Sequence, residues 1–475
     1  MLAAIALLTV SAPFRLHFDN GEFAQVVFNV TCLGGRVACS KPLIEKFWRQ
    51  ELHWTGEDQR QLDAWRETLG AIGGREPKAE SVPFLPNYPG YYPELVVVNR
   101  LVAAGLDSRS PAEFRRKASG IARPDEVAKL TALLRHFEHR MRPWFRANGA
   151  RYLAARGKAI EAGMRDPRFA ALAAKISRFM ESELATRDFY VHLVARGDHE
   201  SDSATATFVR NHVVLELTDT MKPEAAQTII MHEMTHALYD LAPRARHQQL
   251  IRDFAAAGEP RALSYYTLLN EGLATGLQLM LLRQAGQNDE DAYRHPYIPR
   301  IGRAASPLIE RTLQDEKATL FNGFVEPYLR AGAAEMKAEA GSPKFVLSSV
   351  ALTKIGDADL SAANQALEAE MATISRVDFA DREQFPAINL AMLVTYTDLG
   401  EIISNWPEMT QLAKENRAFA YVAPRGSKGR SFIFAGRDGA AVAEIVRALA
   451  AAPSMPERGV VVKLPLTASP PPPAR

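Results

Sequence analysis

Two histidines and a glutamate stand at a spacing that suits metal chemistry. The segment Met231-His232-Glu233-Met234-Thr235-His236 carries the pattern H-E-x-x-H. Residues four apart share one face of a helix, so both imidazoles can meet one ion, with Glu233 pointing into the space beside it. Zn2+ in a catalytic site takes three protein ligands and keeps one position for water, whose pKa falls toward about 7. A carboxylate beside that water can take its proton and pass it to a leaving amine. With 11 His in 475 residues, roughly 0.02 such patterns are expected by chance. The pentapeptide therefore outweighs the reading of a core or surface helix that happens to carry two His and a Glu.

A third ligand is expected downstream. The candidate segment is Leu268-Leu269-Asn270-Glu271-Gly272-Leu273-Ala274-Thr275, with Glu271 lying 35 residues after His236 on a following helix. With these two segments the chain resembles the gluzincins, zinc metallopeptidases that pair H-E-x-x-H with a Glu on a second helix. Asn270-Glu271-Gly272-Leu273-Ala274 is similar to the N-E-G-x-A segment of their aminopeptidase-like branch. The resemblance covers about residues 189–285. It implies a zincin-like unit, with His232, His236 and Glu271 as zinc ligands and Glu233 as general base in peptide-bond hydrolysis. It also implies that His212 to Leu217 is the edge strand along which a peptide or protein substrate lies. Three features of known branches are missing. Thr275 stands where thermolysin-like members place Asp, no G-x-M-E-N-type segment lies upstream, and the metzincin extension of the first motif is absent.

Charge developing on an attacked carbonyl oxygen needs a stabiliser. The candidates are His295, Tyr297, Tyr328, Tyr265 and Tyr266, and the sequence does not choose among them. Arg244, Arg246 and His247 follow the motif and offer either a substrate-carboxylate site or a solvated turn. A reading from a different class is a non-catalytic exported binding or scaffold protein with a structural or vestigial zinc site. A base beside the ion argues against it, since a closed structural site has no use for Glu233.

The elements that must position these residues give an α+β, mainly helical chain. Phe189 to Ala195, Ala204 to Val209 and His212 to Leu217 read as strands, the last two as a hairpin. A helix follows from Pro223 to about Tyr239, with Asp219 or Thr220 as N-cap. A second runs from Ala262 to about Gln284, stopped near Gly286. Residues 13–185 read as a helical N-terminal region and 186–385 as the catalytic unit with a helical continuation. From 386 to 466 the order β-α-β-β-α-β reads as a small α/β module, which a ferredoxin-like split unit would satisfy. The basic run from Arg135 to Arg146 reads as a solvated helix face. The stretch from Pro83 to Pro93 is a loop that packs aromatics.

Composition limits the remaining choices. Lys+Arg number 57 against 55 Asp+Glu, a formal net charge of +2 that argues against a nucleic-acid binder. Leu2 to Val10 is an apolar run of signal-peptide type ending in Val10-Ser11-Ala12, so residues 1–12 suggest export to the periplasm or medium. The run is too short to span a bilayer, and no integral membrane segment is expected. It lacks a preceding cation, the first being Arg15. Cys32 and Cys39 are the only cysteines, and in an exported chain they read as one disulfide closing a short loop. Residues 467–475 form a Pro-rich, extended tail.

Overall fold

The computed structural model describes residues 14–73, 97–182, 188–197, 205–259, 261–286, 295–348, 350–356, 358–373, 389–403, 406–407, 409–415, 417–425, 429–456 and 458–465. The expected export signal, the Pro83–Pro93 loop and the Pro-rich tail lie outside the described residues. The fold is α+β and mainly helical, with one four-stranded and one five-stranded sheet. Among the described residues no helix is long and apolar enough to cross a membrane.

The first sheet contains β1 (Arg15–Phe18), β2 (Asp188–Ala195), β3 (Ala206–Val209) and β4 (His212–Leu217) in the order β1-β2-β4-β3. The β3–β4 hairpin expected from the alternating residues forms, with Val209 opposite His212. Arg210 turns it with φ 57°. β4 is not an edge strand. It pairs in parallel with β2 on one side and antiparallel with β3 on the other, so among the described residues β1 and β3 are the edge strands. All six residues of β4 are buried, as an interior strand covered on both faces requires.

The N-terminal helices do not stand apart from this sheet. β1 extends it, and the helix α1 (Glu22–Leu33) packs on it. Gln25 in α1 exchanges hydrogen bonds with the backbone of Ala195, at 2.7 and 2.8 Å. One continuous core therefore runs through residues of both regions. The basic run is solvated in part: Arg135, His139 and Arg146 are exposed, while three members on helix Pro124–Trp144 are tied down. His136 and Arg140 reach the buried Asp58 at 2.8 and 3.2 Å, and Arg142 reaches Glu22 at 2.8 Å. Pro143 falls inside that helix, and a π-helical turn at Phe145–Gly149 joins it to Ala150–Met164.

The motif helix α2 spans Pro223–Asp240 and starts with Pro at its first position, where the missing N–H costs nothing. Its N-cap is Lys222, without a side-chain cap; the hydroxyl of Thr220, one of the two expected caps, pairs with Thr218 instead. The expected second helix is broken at Leu268 into Ala262–Thr267 and α3 (Leu269–Gln284). α3 lies along α4 (Ile298–Gln314) at very close range, and glycines allow it. A Cβ on Gly276 would come within 2.7 Å of Ile309 and 3.0 Å of the Gly302 carbonyl. A Cβ on Gly302 would meet Thr275 at 2.7 Å. Thr275 is thus a helix-packing residue, fully buried against α4.

The second sheet has the order β5-β6-β8-β7-β9, from β5 (Ala351–Ile355), β6 (Leu390–Thr395), β7 (Arg417–Arg425), β8 (Gly429–Gly436) and β9 (Gly459–Pro465). β5 was expected to be helical. It pairs in parallel with β6, so the module takes in residues well before 386. β9 pairs with β7 rather than lying beside β6, which departs from a ferredoxin-like arrangement. Successive residues point to opposite faces. Leu390, Met392 and Val394 join the main core. Ala391 and Leu393 pack with the helices Ser361–Met371 and Gly439–Ala450. The module is thereby fused to the body through one face of its sheet.

Candidate metal centre

α2 presents His232 and His236 one turn apart, and the first turn of α3 brings Glu271 to them. The two Nε2 atoms are 3.0 Å apart, and Glu271 Oε2 lies 3.7 Å from His232 Nε2 and 3.6 Å from His236 Nε2. Both imidazoles are buried, and Glu271 is partly accessible. Glu271 Oε2 is itself buried and accepts no hydrogen bond. Three atoms able to ligate a metal thus lie within 4.8 Å of one another. Donors about 2.0–2.1 Å from a tetrahedral ion stand about 3.3 Å apart, and the three separations fall on either side of that value. The residues present fit a metal ion, and this donor set of two imidazoles and one carboxylate suits Zn2+ among others.

Around this group the electrostatics favour opposite charges. Burial disfavours the charged form of His236, but the Glu271 carboxylate and the Asn270 contact outweigh it and raise its pKa to about 10. Burial likewise raises Glu271, yet His236 and His232 hold its carboxyl well below the usual range. Glu233, the residue after His232, keeps part of its surface accessible. Burial pushes its carboxyl up, opposed by His236 and His232. A carboxylate made more basic in this way is a better proton acceptor.

Two supporting residues were not assigned a role from the sequence. Asn270 Oδ1 lies 3.0 Å from His236 Nδ1, so it accepts the Nδ1–H and keeps Nε2 as the nitrogen that faces the ligand cluster. Asn270 stands in the same segment as Glu271, but adjacent helical residues point in different directions, so the sequence did not announce the contact. Phe208 of β3 stacks on the other side of His236, with ring centroids 5.8 Å apart and planes at 22°. No sequence signal marks it, because the contact joins distant elements.

Two of the stabiliser candidates, His295 and Tyr328, have their polar atoms engaged elsewhere, whereas the hydroxyls of Tyr265 and Tyr266 are buried without a hydrogen-bond partner among the described residues. His295 Nδ1 accepts from the backbone N–H of Tyr297 and Ile298, both at 3.1 Å, at the start of α4, and its Nε2–H donates to the Ala372 carbonyl at 2.8 Å. It lies close enough to Glu271 to feel that carboxylate. Tyr297 and Tyr265 pack on Phe345, at 5.3 and 5.2 Å between centroids. Tyr328 donates to the Tyr265 carbonyl at 3.2 Å, and Tyr266 is buried against Phe254. Beyond the motif, Arg246 pairs with Glu181 at 2.7 Å and His247 is buried beside Tyr239, so neither forms a carboxylate site. The Arg244 side chain lies outside the described residues.

Comparison of the chain with protein-family models, with curated proteins and with solved structures finds no match in any of the three. The functional reading therefore stands on the residues themselves.

Proposed function

We propose that the chain is a zinc-dependent, gluzincin-like peptidase built on a zincin-like unit. The observation that carries this reading is the convergence of His232 Nε2, His236 Nε2 and Glu271 Oε2 within 4.8 Å of one another, with Glu233 beside them. The order of sheet, motif helix and second ligand helix supports it. A bound zinc ion supplies Lewis acidity, polarising a carbonyl and lowering the pKa of water. The chain's own residues do the rest. Asn270 fixes the tautomer and direction of His236. Glu233 takes a proton from the attacking water and returns it to the leaving amine, so no covalent acyl-enzyme forms. β3, an edge strand of the sheet among the described residues, offers main-chain hydrogen bonds to an extended peptide or protein substrate. Export to an oxidising compartment fits the Cys32–Cys39 disulfide, whose Cα atoms are 5.9 Å apart.

The test is Glu233→Gln, assayed on a general protein substrate such as casein, with metal content measured alongside. Zinc retained with hydrolysis reduced by about a hundredfold or more agrees with a general base. Unchanged hydrolysis contradicts it.

A further inference from the structure

The loop closed by Cys32 and Cys39 lies against the strands that support the metal centre. Ser40, directly after Cys39, is its point of contact. The Ser40 backbone N–H donates to Glu216 Oε1 at 2.8 Å. Its hydroxyl lies 2.8 Å from Thr205 Oγ1 and accepts from Arg196 Nη1 at 3.3 Å. Arg196 and Glu216 face each other at 3.5 Å with side chains 0% and 1% exposed. A buried ion pair depends on hydrogen bonds that complete it, and Ser40 supplies one to each partner. Glu216 belongs to β4, and its backbone N–H donates to the Thr205 carbonyl at 3.1 Å. Thr205 immediately precedes β3, which carries Phe208 onto the ring of His236.

We infer that the Cys32–Cys39 disulfide is a positioning element of the metal centre, holding Phe208 against His236 through Ser40, Glu216 and β3. This rests on the metal-site reading above. Cys32 is buried and Cys39 is partly exposed, so a soluble reductant meets the bond at the Cys39 sulfur. A phosphine attacks that sulfur and the S–S bond breaks. Water then hydrolyses the phosphonium, leaving two thiols and one phosphine oxide, with two electrons passing from phosphorus to the disulfide. Ser40 is then no longer tethered, and the buried pair loses the contacts that fix the start of β3.

The experiment is a zinc titration of the full chain against a chromophoric chelator. It compares oxidised protein, phosphine-reduced protein and the Cys32→Ala/Cys39→Ala variant, each with and without Phe208→Ala. Loss of the bond by either route is expected to weaken zinc binding about tenfold, the low end of effects carried by residues that support metal ligands. In the Phe208→Ala background the same loss is expected to add less than about twofold, because the link is already cut. Equal affinity with and without the bond overturns the inference. So does a tenfold loss that persists in the Phe208→Ala background, since the bond would then act on the fold at large. Ser40→Ala, which keeps the bond and removes two of the contacts, is titrated in parallel. If the cysteine variant does not fold, weaker binding in Ser40→Ala that vanishes with Phe208→Ala supports the inference, and unchanged binding overturns it. A chain that binds no zinc when oxidised refutes the metal-site reading first.

Discussion

The imidazole of His236 is held from three directions: Asn270 at Nδ1, Phe208 on its face, and Glu271 toward Nε2. Because the ring is fixed in this way, Asn270→Ala is expected to lower zinc affinity by about 10- to 100-fold while the fold is kept. Asn270→Asp, which still accepts the Nδ1–H, is expected to recover most of it; chelator competition measures both. The grouping of His232, His236 and Glu271 was legible because helix geometry places the two His together and the family resemblance pointed to the Glu on the following helix. The stabiliser was not legible. His295 carries the right chemistry, but its nitrogens are used by the backbone of Tyr297, Ile298 and Ala372, contacts that no local pattern encodes.

At the scale of elements, the site depends on how closely α3 approaches α4, since α3 carries Glu271. Gly302→Ala would drive a methyl group into Thr275 and the backbone of Gly276. It is expected to cost about 1–3 kcal/mol in chemical denaturation and to weaken zinc binding as Glu271 shifts. Gly258→Ala, where an added Cβ meets nothing within 4 Å, serves as the control and is expected to leave both unchanged. Strands β2, β3 and β4 and helix α2 were legible from short Val-, Tyr- and Leu-rich runs, from the Arg210-Asn211 break and from Pro223. Their neighbours were not. Whether β4 or β3 lies at the edge is decided by the pairing of β4 with β2, some twenty residues away. β5 was missed because Ala351–Ile355 is short and its strand character comes from pairing with β6.

Across the whole molecule, the core accepts three neutral histidines. Burial lowers His192 and His247 to about 4, against an ordinary value of 6.5, and holds His212 well below that value too. His192 and His212 are stacked, with nitrogens 3.0 Å apart, and the neighbouring His192 adds to burial in opposing protonation of His212. Their folded-state pKa values are depressed, so the unfolded chain binds more protons between pH 6.5 and about 4. The stabilisation is fully present above pH 6.5 and is lost as pH falls toward 4, by about 1.4 kcal/mol per pH unit for each histidine. Denaturation curves across that window are expected to show the loss, and His247→Phe to flatten it. Composition marked a globular chain without nucleic-acid character, but not that the N-terminal helices, central sheet and C-terminal module share one core. That sharing depends on contacts such as Gln25 with Ala195, far apart in sequence. The most direct test of the central claim is the metal content of the full chain purified without a His tag, beside His236→Ala and Glu271→Ala. The account predicts about one zinc per chain, lost in both variants. A chain without metal, or the same content in either variant, contradicts it.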